Sequence, residues 1–352
     1  MSTENEYFFE YSHIFEYFGG CEMKKICLSV TVLFLALSAV LFGEGVKRRR
    51  VSSLPVSGDF IKWVDFSVSS KALSDALALD TETYGTENYR RFIEILAYVS
   101  AKNYGEYKKY KTSSVTSLAD TSEDLRTLSG NEKLFDYYEK AYSAALGGAV
   151  GSYTKVTTDE SGNVSETEEY GLRLFSPIAA GYYYNDYADF GDSRSYGYKR
   201  EHLGHDMLGS VGTPIIAVES GRVEALGWNN FGGWRIGIRS FDGKRYYYYA
   251  HLRKDHPFCD MYEGKIVNAG EVIGYLGMTG YSRRENTNNI NIPHLHFGLE
   301  LIFDPSQKDS NSEIWIDVYA FTQFLAKNRS EVVLCDKEKR AKTVFVYPET
   351  PD

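Results

Sequence analysis

WRIGIRSFDGKRYYYYAHL (Trp234 to Leu252) reads as two β arms joined by a tight turn. The arm WRIGIRS and the arm KRYYYYAHL flank Asp242-Gly243, a pair suited to the positive φ angles of a hairpin. Such a hairpin belongs to an antiparallel sheet. The surrounding chain agrees. KIVNAGEVIGYLGMTG (Lys265 to Gly280) reads as short strands punctuated by glycine, and SYTKVTTDESGNVSETEEYGLRL (Ser152 to Leu174) as β arms about Ser161-Gly162-Asn163. Ile314 to Asn328 reads as a closing helix. No βαβ alternation and no glycine-rich phosphate loop occurs, so nucleotide chemistry has no support. The expected fold is a mainly β domain, an antiparallel sheet or sandwich, over residues 170–328.

Upstream the period changes from two to that of a helix. Phe92, Ile95, Leu96 and Val99 repeat at helical spacing, as do Leu134, Tyr138, Tyr142 and Leu146; Leu73 and Leu77 mark a shorter helix before them. Residues 56–153 therefore read as an α-helical accessory domain, without a histidine or cysteine to carry chemistry. Residues 329–352 read as a C-terminal tail.

Composition fits a globular chain long enough for two folded parts: 352 residues, 43% hydrophobic and 25% charged. The net charge of −9, from 39 Lys+Arg against 48 Asp+Glu, offers no footprint for nucleic acid. Tyrosine is abundant at 29 residues, which suits half-buried strands or a stacking surface. Oligomeric state has no signal.

Met23-Lys24-Lys25 precedes the apolar run Ile26 to Phe42, and Gly43 and Gly45 follow it. Residues 23–45 read as a signal peptide or signal-anchor, which places the rest outside the cytoplasm, secreted or membrane-anchored. The basic cluster Lys47 to Arg50 opposes that orientation on charge grounds. Residues 1–22 are an acidic, aromatic extension, and Met23 is an alternative start. Cys259 and Cys335 are left for the exported part, and their pairing is open. No Cys/His finger spacing occurs.

Five of the seven histidines lie in three short strings: HLGHDM (His202 to Met207), YAHL (Tyr249 to Leu252) and PHLHFGLEL (Pro293 to Leu301). Residues two apart on a strand share a face, so His294 and His296 project together while Leu295 and Phe297 face the core. His202 and Asp206 are four apart and share a face of a strand or a helical turn. Gly204 between them permits close backbone approach. Two imidazoles and a carboxylate from this set complete three positions of a tetrahedral Zn²⁺ site and leave the fourth open, as in catalytic centres. His205 has the wrong parity and reads as a packing or supporting residue. Phe231 and Trp234, beside Gly232-Gly233, are candidates for lining a substrate groove. Asn185 and FGDSR (Phe190 to Arg194) lead into the first ligand and are placed to cover the cleft.

HxxxD, a central histidine in a YAHL-like string, and HxH, in that order, resemble the lysostaphin/LytM-type zinc metallopeptidases, which cut peptide bonds in bacterial peptidoglycan. GTPIIAVESGRV (Gly212 to Val223) and VNAGEVIGYLGMTG (Val267 to Gly280) are similar to that family too, over roughly Phe175 to Ile302. The resemblance implies that His202, Asp206 and His296 ligate zinc and that His251 and His294 form the catalytic pair. It also implies a peptidoglycan peptide as substrate. Zinc brings the pKa of water towards neutrality, and without an HExxH glutamate histidine has to handle the protons. Which of the two is the base stays open, as does the bond cut. Two other readings are weighed. One is a non-catalytic scaffold or regulator of cell-wall hydrolysis on the same fold, which would be expected to lose ligands. The other, a D,D-carboxypeptidase type, needs a wider His-to-Asp spacing that is absent.

Overall fold

The structure, a computed structural model, describes residues 66–347 apart from 160, 197–198, 305–306, 308–312 and 336–337. The N-terminal extension and the apolar run Ile26 to Phe42 lie outside the described residues. Among the described residues no helix is long and apolar enough to cross a membrane.

Three helices form the first part: Ser70–Thr83, Phe92–Asn103 and Glu132–Leu146, with single turns at Ser113–Thr116 and Leu125–Leu128. Ser69 caps the first through a bond from the Ala72 amide (3.2 Å), and Asn131 caps the third through the Leu134 amide. The second helix stops at Tyr104, which takes a left-handed conformation at φ 53°. Phe92, Ile95, Leu96 and Val99 are all buried, as the spacing predicts. In the third helix Tyr138, Tyr142 and Leu146 are buried while Leu134 sits at the edge of the core.

The second part is organised on an eight-stranded antiparallel sheet. Across it run Ile266–Val267, Gly221–Asn229, Gly233–Ser240, Arg245–Ala250, His294–Leu301, His205–Gly209 and Tyr184–Asn185, with Ile314–Trp315 added beside His294–Leu301. The Trp234–Leu252 hairpin forms with Tyr247 opposite Ile238 and Tyr249 opposite Ile236. Its turn is closed by Asp242, which accepts from the Ser240 hydroxyl and the Lys244 amide, and by Gly243 at φ 75°. Parity sorts the tyrosines. Tyr247 and Tyr249 are buried in the core with Leu295, Phe297, Leu299 and Leu301, whereas Tyr246 and Tyr248 line the other face. Each such apolar side chain contributes roughly 1.5–3 kcal/mol by leaving water.

Two expectations are corrected. Ile314 to Asn328 is not one helix: Ile314–Trp315 is a strand, and only Tyr319–Leu325 is helical. Ile314, Ile316 and Val318 are buried at strand period, and the Trp315 ring lies over Gly298, leaving no space for a Cβ there. Described residues beyond 329 are built into the fold as well. Thr343–Val346 pairs with Val150–Thr158, which pairs in turn with Val164–Leu172, and Phe345 packs with Tyr153 and Phe175. The helical part joins this assembly through Phe92 against Phe324 and through the Tyr89 and Tyr170 hydroxyls, 2.6 Å apart.

Candidate metal centre and catalytic cleft

The sheet register places the site. In the pairing of His294–Leu301 with its neighbours, His296 lies opposite Asp206 on one side and opposite Ala250 on the other. Opposed residues share a face, so His296 and Asp206 project together, and His251 follows directly after Ala250. His202 enters from the loop before His205–Gly209. Its approach depends on Gly204, because a Cβ at that position would sit 2.5 Å from His296 Cε1.

Three ligand-type atoms converge. His202 Nε2 is 2.9 Å from His296 Nδ1 and 3.0 Å from Asp206 Oδ1, and His296 Nδ1 is 3.1 Å from that same oxygen. These near-equal edges approach the roughly 3.3 Å between ligands of a tetrahedral ion with bonds of about 2.0–2.1 Å. The donor set of two imidazoles and one carboxylate therefore fits a divalent zinc-like ion. His202 is oriented from behind, since its Nδ1 donates to the Asp189 carbonyl (3.0 Å) and lies 3.2 Å from the Asp189 carboxylate. That is the usual arrangement behind a ligating histidine.

Electrostatics reflect the convergence. Burial works against a charged Asp206, but hydrogen bonds with His202 and His296 outweigh it and hold its carboxyl well below the usual range. Burial likewise opposes charge on His202, yet Asp189 and Asp206 push it up. His296 is held below its ordinary value by burial, against the pull of Asp206.

His251 and His294 stand beside this group, with ring centroids 4.8 Å apart. His251 Nδ1 donates to the Thr279 carbonyl (2.8 Å) and His294 Nδ1 to the Ile292 carbonyl (2.8 Å). A carbonyl only accepts, so each ring carries its hydrogen on Nδ1 and has Nε2 free for other partners. His294 Nε2 lies 3.6 Å from Asp206 Oδ1. Burial, with the neighbouring His294 and His296, holds His251 well below its ordinary value, so it is neutral. Its backbone is left-handed at φ 61°, an uncommon conformation for a non-glycine residue, with the amide bonded to the Gly232 carbonyl.

All five sequence-derived residues, His202, Asp206, His296, His251 and His294, thus meet in one place. His205 falls on the opposite face, as parity required, and is bonded to Asp186 and Asp189. The groove candidates divide. Phe231 lines a cleft of about 170 Å³ at the cluster and the adjoining groove of about 670 Å³. Trp234 is corrected: one residue before Arg235 on its strand, it faces the other way. It packs edge-on with Trp228 and Phe258 and donates to Asn286.

Asp189 and Arg194 were missed as participants. Arg194 Nη2 bridges Asp206 Oδ2 (3.1 Å) and Asp189 Oδ2 (3.2 Å). The only sequence signal was the place of Arg194 in FGDSR, with Asp189 directly before that string, ahead of the first ligand. Cys259 and Cys335 are not joined by a disulfide.

Comparison with known proteins gives a consistent result. Residues 200–309 match peptidase family M23. An L-Ala–D-Glu endopeptidase of Bacillus subtilis (strain 168) is 39% identical over 137 residues, 37% of this chain and 40% of that protein. Lysostaphin of Staphylococcus simulans is 39% identical over 97 residues, 27% of this chain and 17% of lysostaphin. The chain thus spans about two fifths or less of the length of these relatives. The crystal structure of lytM from Ruminococcus gnavus ATCC 29149 shares the fold, with a TM-score of 0.52 at 20% identity over 80% of this chain and 94% of that one.

Proposed function

Because residues 200–309 match peptidase family M23 and the chain is similar to lysostaphin and to an L-Ala–D-Glu endopeptidase, we propose that it is a zinc-dependent endopeptidase of the lysostaphin/LytM type that hydrolyses peptide cross-links of bacterial peptidoglycan. The observation that carries this is the triangle of His202 Nε2, His296 Nδ1 and Asp206 Oδ1 beside two histidines with available Nε2 atoms. His202, Asp206 and His296 would hold the metal. When bound there, zinc supplies Lewis acidity, easing deprotonation of water and polarising a carbonyl.

The chain's own groups do the rest. His251 is neutral and fixed by Thr279, so its Nε2 lone pair accepts the proton of the attacking water. His294, fixed by Ile292 through Nδ1, turns Nε2 to the developing oxyanion or the leaving amine, to which it donates when that nitrogen carries a proton. Arg194 neutralises the Asp206 oxygen turned away from the triangle. The 670 Å³ groove that reaches His296 receives the peptide. The substrate lies outside the cytoplasmic membrane, so the domain acts there. The helical part serves as an accessory that buttresses the sheet.

Metal analysis of the purified chain, with peptidoglycan hydrolysis assayed with and without chelator, tests the reading. One zinc per chain and activity that chelation removes and zinc restores are expected. A zinc-loaded chain that cuts no peptidoglycan would instead favour the scaffold reading.

A further inference from the structure

Alternate residues of three neighbouring strands floor the large groove. His294–Leu301 contributes His296, Gly298 and Glu300; Arg245–Ala250 sets Tyr248 and Tyr246 opposite the last two; Gly233–Ser240 sets Gly237 and Arg239 opposite those tyrosines. The Trp315 ring covers Gly298, and the Tyr246 ring covers Gly237. Arg235, two residues before Gly237, shares this face. It stands at the end of the groove nearest His296, one step past the Tyr249–Ile236 pair.

Three other charged groups of the groove are held within the protein. Arg239 makes two bonds of 2.6 Å to Glu224, and Glu313 accepts from the Trp315 indole at 2.7 Å. Arg200 donates to the Tyr196 carbonyl (2.7 Å) and the Tyr281 hydroxyl (3.3 Å) and lies over the Phe231 ring. Arg235 differs, because its Nε is buried without a hydrogen-bond partner among the described residues. Glu300 lies four residues beyond His296, roughly 13 Å along the strand. The cationic end of the groove therefore adjoins the cleavage point, and the acidic end is remote from it.

A buried donor of a guanidinium left without an acceptor is destabilising, and a carboxylate matches the planar fork of arginine better than a neutral carbonyl does. The geometry points to Arg235 as a specificity-determining residue that pairs with a free carboxylate on the substrate residue adjoining the scissile bond. This rests on the peptidase reading above and names its substrate class: an acidic peptide rather than an uncharged glycine bridge. A glutamate linked onward through one of its carboxyl groups keeps the other free next to the bond. A run of glycines offers nothing of the kind.

The test uses the zinc-loaded full chain and muropeptides whose glutamate carboxylate is either free or amidated. kcat/KM should favour the free acid by roughly 10–100-fold, the scale of a charged hydrogen bond, and Arg235→Gln should remove that preference. Equal rates on both substrates for the wild type, or an unchanged ratio in Arg235→Gln, would overturn the inference. Arg235→Lys keeps the charge without the fork; the ratio must fall there too, which covers a glutamine variant that fails to fold. Titration calorimetry of the same two peptides with zinc-chelated protein compares their binding without turnover. If neither peptide is cut, the peptidase reading fails, while tighter binding of the free acid still supports the role of Arg235 and equal binding still refutes it.

Discussion

The strand Arg245–Ala250 has a charged cluster at each end, and the two obey opposite rules. At the first end Arg245 is fully buried and fully matched. It donates to both oxygens of Glu219 (2.8 and 3.0 Å), to Asp242 (2.9 Å) and to the Ala144 carbonyl at the end of a helix (3.0 Å), while the Tyr247 hydroxyl also bonds Glu219. Donors and acceptors balance, so the cluster is a joint between helices and sheet. At the second end, opposite Ala250, His202, Asp206 and His296 turn acceptors towards one another around a single point. That imbalance is what a cation corrects. Burial and charge are common to both clusters, and only the donor–acceptor count separates structure from chemistry.

Breaking the unbalanced end should have the largest effect. His296→Ala or Asp206→Ala should abolish both zinc binding and hydrolysis, read by metal content and by release of muropeptides; a variant that kept its zinc would remove that residue from the ligand set. His251→Ala should lower kcat by about 10²–10⁴-fold, the range for a general acid–base group, with zinc still bound. Full activity in that variant would cancel the catalytic assignment. At the balanced end, Arg245→Ala should lower unfolding free energy by about 3–5 kcal/mol, because Glu219 is left buried without its cation. Denaturant unfolding measures this, and folded protein should still bind one zinc. The smallest effect sharpens the comparison. Gly204→Ala should weaken zinc by roughly 10–100-fold, the scale seen when the support of a ligand is disturbed, since its methyl group meets the His296 ring. Competition with a chromophoric chelator reads it.

The legible parts of the molecule were those with a period. HLH placed two imidazoles on one face because strand parity is strict, and the same parity set His205 aside and divided the tyrosines. The Asp242-Gly243 turn announced its hairpin because little else tolerates that backbone. Parity also held the answer for Trp234, which adjoins the groove residue Arg235 but faces away; choosing it by proximity to glycine ignored the alternation. Ile314 to Asn328 misled because short apolar runs satisfy helix and strand alike, and pairing with Leu301 and the space over Gly298 decided between them. Asp189, Arg194 and Arg235 were hidden for a different reason. Each acts through a partner distant in sequence or through the lack of one, and no local pattern records that.

The strand Thr343–Val346 completes a sheet whose middle member, Val150–Thr158, was made long before it. On the ribosome the hairpin Val150–Leu172 emerges first, and then the whole catalytic sheet, before the third strand exists to cover the hairpin's outer edge. Until then the edge displays unpaired amides and carbonyls, a template for pairing with another nascent chain. Val164–Leu172 on the other side carries Glu166, Glu168 and Glu169, which repel a second copy of themselves. A strand made after the catalytic-site sheet is thus the one that closes the open edge, and the acidic strand guards the side that stays exposed.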